Sequence, residues 1–363
     1  VSWFSIEGIM LFGSRVTLFL PSLVLLSLAA TGFGQQTPTA SVTPGNRIYL
    51  DVVVTPQTGG PVAGLQQQEF TVLDNKVAKP ILSFAPMGGS EAPVEVVLIV
   101  DAVNVGYETV AYERDKIERF LAADGGDLVH PVTLGVLTDK GLQLQPSSSR
   151  DGKALKAQLD QYEMGLRTIR RSAGFYGAEE RMEISLKAMG GLISLEGKKP
   201  GRKMILWVSP GWPLLSRENM LLDGKQQGRL FGQIAMLSTA LRRSGITIYS
   251  IDPIGTNEGL IRSDFYKNFV NGITKPSQVE PGDLGLQVLA VQTGGFVMTT
   301  NNDIVAMLQS AMNDSKAYYE ISFEAAVGEH PDEYHKVEVQ VDKPGMVART
   351  RTGYYAQPVH SEP

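Results

Sequence analysis

The chain has 363 residues, 43% of them hydrophobic, no cysteine and a formal net charge of −5. This length and apolar content supply a sizeable core, enough for two domains, and exclude global disorder. The acidic balance gives no reason to expect nucleic acid, whose phosphates need clustered Lys and Arg, and the absence of cysteine removes disulfides, thiolate metal sites, thiol nucleophiles and lipid attachment through a cysteine.

Arg15 precedes an apolar run from Val16 to Ala30, followed by Thr31-Gly32-Phe33-Gly34 and polar Gln35-Gln36-Thr37-Pro38. A basic flank, a short apolar core and a small-residue exit predict a secretory signal peptide over residues 1–34. Pro21 and the short apolar length favour cleavage over a membrane anchor, which needs about 20 apolar residues. Because the first residue is Val, an alternative or mis-set start is expected, and residues before about Leu11 are read as outside the natural product. A Pro/Thr/Ser/Gly linker covers 35–46, and the mature chain is expected to be exported to the periplasm, cell surface or medium, without a stable membrane span.

Residues 45–86 carry β-type patterning. Strands are predicted at 47–54 and 69–73, and Asp74-Asn75-Lys76 reads as a tight turn into a third strand at 79–84. The middle alternates strands (94–100, 131–137, 203–208, 246–251 and 295–299, with a hairpin partner at 142–145) and helices (109–122, 152–165, 178–194, 228–243, 284–292 and 304–313). Near-continuous apolar strands between amphipathic helices predict an α/β fold with a doubly wound, mostly parallel sheet. Alternating strands return at 318–324, 335–342 and 347–355. Since short antiparallel strands need a partner layer, residues 45–86 and 317–357 are expected to form one β-sandwich-like unit, with 92–315 inserted as the α/β domain and 358–363 left as a tail.

The run VEVVLIVDAVNV (94–105) delivers Asp101 to the carboxyl end of a buried strand, where open parallel sheets bind ligands. The residues after it, Ala102, Val103, Asn104 and Val105, offer few oxygens to a hard cation. A strand ending at Asp101, the phrase LRRSGITIYSID (241–252) and LAVQTGGF (289–296) resemble, in that order, a von Willebrand factor A-type domain. VAGLQQQEFTVLDN (62–75) and YYEISF (318–323) resemble the flanks of a secreted subgroup known mainly from Acidobacteria. The resemblance covers roughly residues 45–356 and rests on the order and spacing of its motifs.

The resemblance implies adhesion or protein binding at a metal-ion-dependent site that begins Asp-x-Ser-x-Ser, takes a Thr from a second loop and an Asp from the loop after the fourth strand. Asp101 matches the leading Asp, but Val103 and Val105 stand where the serines should be, and Ser209 or Pro210 falls where the second Asp belongs. Thr168 is the second-loop candidate. Asp101, Asn104, Thr168 and Ser209 would give one carboxylate and three neutral oxygens, short of what a magnesium octahedron asks. The metal site therefore reads as degenerate: no cofactor is expected, any residual Mg²⁺ would rest on Asp101, and the carboxylate is read as a helix cap or an acceptor for loop amides.

Enzyme motifs are missing: no Gly-x-Ser-x-Gly, His-Glu-x-x-His or phosphate-binding Gly-x-x-x-x-Gly-Lys-[Ser/Thr] occurs. His130 opens a strand, and His330 and His335 read as solvated residues of a hairpin. Arg167, Arg170 and Arg171 read as a solvated loop, and Gly294-Gly295 as a helix C-cap and turn. Trp207 and Trp212 flank a Pro-bounded loop at the strand ends, with Trp212 either a binding anchor or packed on Tyr107 or Phe175. Residues 254–282 are expected to line the same face, with a short helix around 263–270. The candidate contacts to a protein ligand are Asn104, Tyr107, Trp212, Phe265 and Tyr266. The expected function is a non-enzymatic, metal-independent protein-binding module; the alternatives are a structural component of an envelope complex docked through the β-unit and, more remotely, a hydrolase.

Overall fold

The computed structural model describes residues 47–90, 92–162, 174–213, 222–253, 265–299 and 303–358. The predicted signal peptide and linker, Arg167, Thr168, Arg170, Arg171, the loop 254–264 and the tail from residue 359 lie outside the described residues, as do the side chains of Tyr107 and Phe175.

β1 (Arg47–Pro56) opens the described chain. Ile48, Leu50 and Val52 point inward while Tyr49 is exposed, the period-two pattern of a strand with one buried face. β2 (Phe70–Asp74) turns into β3 (Val77–Lys79) through Asn75 and Lys76, both left-handed at φ 48° and 69°, which is the backbone a two-residue hairpin requires. The third strand predicted over 79–84 is in fact two strands in different sheets. Pro80 has no N–H to continue the ladder, so β3 stays with β2 while β4 (Ser83–Met87) joins the sheet of β1.

The central sheet uses β5 (Val94–Asp101), β6 (Asp127–Thr138), β7 (Gly141–Leu144), β8 (Ser149–Asp151), β9 (Arg202–Val208), β10 (Ile246–Ile251) and β11 (Val297–Met298). Its spatial order is β11-β10-β9-β5-β6-β7, with β8 beside β6. β11, β10, β9, β5 and β6 are parallel, whereas β7 and β8 run antiparallel to β6. The mostly parallel α/β sheet expected from the sequence is present; β8, three polar residues with no alternation, was not anticipated. Counted from β5 and leaving out β8, the order is 3-2-1-4-5-6, which reverses between β5 and β9.

Helices α1 (Tyr107–Ala122), α2 (Gly152–Gln161), α3 (Gly174–Glu196), α4 (Gly224–Arg243), α5 (Leu286–Gln292) and α6 (Ile304–Asn313) cover both faces. Val96, Leu98 and Val100 of β5 pack with α1, α2 and α6 on one side, and Val97 and Ile99 pack with α3, α4 and α5 on the other. Asp151, Asp223 and Asp303 cap α2, α4 and α6 by accepting bonds from first-turn amides. Among the described residues no helix is long and apolar enough to cross a membrane.

β12 (Tyr318–Glu324), β13 (Glu333–Val341), β14 (Met346–Arg349) and β15 (Gly353–Ala356) follow. They complete two antiparallel sheets, β14-β1-β12-β4 and β15-β13-β2-β3, which share one core of Leu50, Val52, Phe70, Val72, Ile321, Phe323 and Tyr354. The strand predicted over 347–355 is again two, crossing between sheets at Thr350-Arg351-Thr352. The crossing falls inside one continuous strand-like run, so the sequence alone does not reveal it. His335, read as a solvated turn residue, is buried in β13: its Nδ1 lies 2.7 Å from Asp74 Oδ1, and Asp74 also accepts from the Tyr354 hydroxyl at 2.8 Å.

Arg202, at the start of β9, joins the small sheets to the central one. Its guanidinium donates to the Asp314 carbonyl at 3.1 Å and the Tyr249 hydroxyl at 2.9 Å, lies 3.8 Å from Asp51 of β1 and sits over the Tyr318 ring of β12. Tyr249 in turn donates to the Asp314 carboxylate at 2.8 Å. Removing one member of a buried charged network strands its partners, so Arg202→Ala should cost about 3–5 kcal/mol, read as a lowered urea midpoint; a loss under about 1 kcal/mol would show that the network contributes little.

Candidate functional site

The carboxyl ends of β5 and β9 flank the point where strand order reverses, the usual ligand position in such sheets. Asp101 is there, fully buried. Its Oδ1 accepts from the backbone amides of Val103 and Asn104, each at 3.0 Å. Its Oδ2 accepts from Asn104 Nδ2 at 2.8 Å and from the Trp207 indole at 3.0 Å. The carboxylate thus serves the loop amides; the alternative reading, a cap on α1, does not hold, since that helix begins after Gly106 without a side-chain cap.

Val103 and Val105 are buried and supply no oxygen, and Val103 joins the core beneath the loop. Asn104 is half-buried and tied down, its Nδ2 also donating to Ser185 Oγ at 3.0 Å, which itself donates to the Arg181 carbonyl. Ser209 is buried, its hydroxyl accepting from Gly211 N at 3.2 Å. Gly211 has φ +104°, and a Cβ there would lie 1.9 Å from Gln287 Nε2, so this turn requires glycine. Tyr107 is the first residue of α1.

A divalent cation needs oxygens with free lone pairs in an open shell. Four N–H groups already point at Asp101, two of its neighbours are valines, and Ser209 is turned to its own loop. The described residues do not fit the metal that the family resemblance implies, and among them no group of three or more His, Asp or Glu is arranged to hold one.

Two expectations need correction. Trp212 is not an exposed anchor: it is 3% exposed and packs edge-on against Trp207, ring centroids 5.1 Å apart, because the Gly211 turn folds it back into the apolar cluster. The described part of the 254–282 segment also turns inward. Phe265 and Tyr266 open a single 3₁₀ turn, Phe265–Asn268, and are half-buried. Phe265 packs at a tilt against Phe269, Ile273 and Val279 enter the core, and Gly272 lies against the Tyr334 ring of β13.

Sequence reading missed Glu113. It occupies the apolar stripe of α1 between Val110 and Ile117 and is fully buried, with neither carboxylate oxygen hydrogen-bonded. Burial, then the charges of Asp101 and Asp252, raise its pKa well above the usual glutamate range. A charged residue at the i+3 position of an apolar stripe was the signal available.

No family model matches the chain, and no curated protein matches it. Among solved structures it is similar to proximal thread matrix protein 1 from the mussel byssus, at 10% identity and TM-score 0.34, covering 66% of this chain and 51% of that one. The conserved hypothetical protein BatB from Bacteroides thetaiotaomicron gives 12% identity and TM-score 0.31, over 62% and 98%. The manganese-loaded TRAP protein of Plasmodium vivax gives 10% and 0.31, over 75% and 98%. This chain spans about half the length of the byssus protein.

Two stability measurements test this site. Trp212→Ala should cost about 3–5 kcal/mol by leaving a core cavity, whereas a surface anchor would lose almost nothing. Glu113 holds its proton more tightly folded than unfolded, so its contribution is fully present below about pH 4 and is lost as pH rises through its raised folded value. Glu113→Gln should therefore be more stable than the parent at pH 7, the difference vanishing at pH 4; a constant difference would refute the assignment.

Proposed function

We propose that this chain is an exported, non-enzymatic binding module of von Willebrand factor A type that recognises another protein without a metal ion, through the loops at the carboxyl end of its central sheet. The observation that carries this reading is the closure of Asp101 by four internal donors. An adhesion site that works through a cation leaves its aspartate open to metal and ligand. Here N–H dipoles stabilise the charge, so the loop is prefolded and can recognise a partner by shape and neutral polar contacts. The strand order and the place of Asp101 within it support the choice of face.

A second reading, docking through the β-unit, is favoured by Tyr49 of β1 and Val347 of β14, 51% and 57% exposed on one small sheet. Calorimetry with magnesium, manganese and calcium should show no micromolar site, and chelator should leave partner capture unchanged. Replacement of Asn104 and Tyr266 by alanine should abolish capture while Tyr49→Ser and Val347→Ser leave it intact. The reverse pattern would assign binding to the β-unit, and a micromolar cation site would end the metal-independent reading.

A further inference from the structure

The imidazole of His335, 8% exposed, is held on one edge and on one face. It stacks on its cross-strand partner Tyr354, ring centroids 5.2 Å apart. Its Nδ1 lies 2.7 Å from Asp74 Oδ1, with the Asn75 side-chain amide further off at 3.4 Å. A carboxylate only accepts, so Nδ1 carries the ring proton and Nε2 keeps its lone pair. Asp74 is fixed in turn: its Oδ2 accepts from the Tyr354 hydroxyl, which accepts from the Ala326 amide, each at 2.8 Å.

The other edge of the ring is unused. Nε2 is enclosed and makes no hydrogen bond, a costly state for a buried polar atom. Glu333, two residues earlier and therefore on the same face of β13, brings its Oε1 to 3.6 Å from Nε2. Its Oε2 accepts from the Glu329 amide at 2.6 Å, so the carboxylate is anchored on one side and turned to the ring on the other.

The separation of these two atoms decides what fits between them. A direct N–H···O bond closes to roughly 2.9 Å, and a bridging water holds its two partners roughly 4.5 Å apart. Nitrogen and oxygen ligands of one tetrahedral zinc ion, at about 2.0–2.1 Å from the metal, stand roughly 3.3 Å apart. The observed 3.6 Å lies nearest the last of these.

We propose that His335 Nε2 and Glu333 Oε1 bind a divalent transition-metal ion of the zinc class at the start of β13, with solvent completing its coordination. A carboxylate on the far ring nitrogen is the support that metal-binding histidines use, since it fixes the tautomer and raises the basicity of the near nitrogen; Asp74 supplies it here. The Glu333 side chain, 26% exposed, gives the ion a route from solvent. Imidazole suits zinc-class ions, whereas magnesium and calcium prefer oxygen ligands, so the site is separate from the Asp101 loop and does not depend on the reading of that face.

The test uses the full chain and zinc chloride. Calorimetry should show one saturable zinc site that excess magnesium does not displace. Glu333→Gln should weaken it by about tenfold or more, because even outer-shell partners are worth that much, while His330→Ala, on the exposed turn before β13, should leave it unchanged. Imidazole nitrogen NMR of the parent should show the His335 Nε2 resonance shifting with zinc while Nδ1 stays protonated, a readout that holds even if Glu333→Gln fails to fold. Zinc binding weaker than about 1 mM, an unshifted His335 ring at saturating zinc, equal affinity in Glu333→Gln and the parent, or loss of the site in His330→Ala would each overturn the proposal.

Discussion

The buried Arg202 network is the constraint on which the rest of the structure depends. A guanidinium withdrawn from water needs partners to offset its desolvation, and these come from distant parts of the chain: Asp51 near the start, Tyr249 in the middle, Asp314 and Tyr318 near the end. The small sheets therefore sit in one orientation against the amino-terminal ends of the central strands. Apolar contact alone, through Val53 and Tyr318, would be less directional. This leaves the carboxyl-terminal ends of β5 and β9, at the opposite edge of the sheet, to the loops of the candidate site.

Much of the architecture was legible in the sequence because buried parallel strands write themselves as runs. VEVVLIVD could be nothing else in its context, and the 304–313 helix was read with its observed bounds. The two misread strands share one cause. At Pro80 and at Thr350–Thr352 the chain changes sheets inside a continuous strand-like run, so only the missing proline amide in the first case betrays the break. The long segment after β10 misled for a different reason: apolar residues such as Phe269 and Ile273 look the same whether they line a surface or plug a core.

The candidate site was half legible. The position of Asp101 and the valines that replace metal ligands follow from the sequence; what replaces the metal does not. That depends on Trp207, over a hundred residues away on the neighbouring strand, reaching Asp101 through its indole N–H. Trp212 packs against the same indole, and Glu113 is buried with its pKa raised well above the usual glutamate range. No local pattern encodes such pairings, since each joins residues that only the folded chain brings together.

The register of β1 has a consequence for how the protein is made. Arg47 pairs with Glu324 and Val52 with Tyr319, about 270 residues later. At ordinary translation rates, β1 therefore waits on the order of tens of seconds for its partner. Through that interval an apolar strand with unpaired amides stands exposed, and the central sheet, whose contacts are nearer in sequence, can fold first and bring the two ends of the chain together. The small sheets close last, so the vulnerable period of this molecule falls before maturity, at an edge the finished fold conceals.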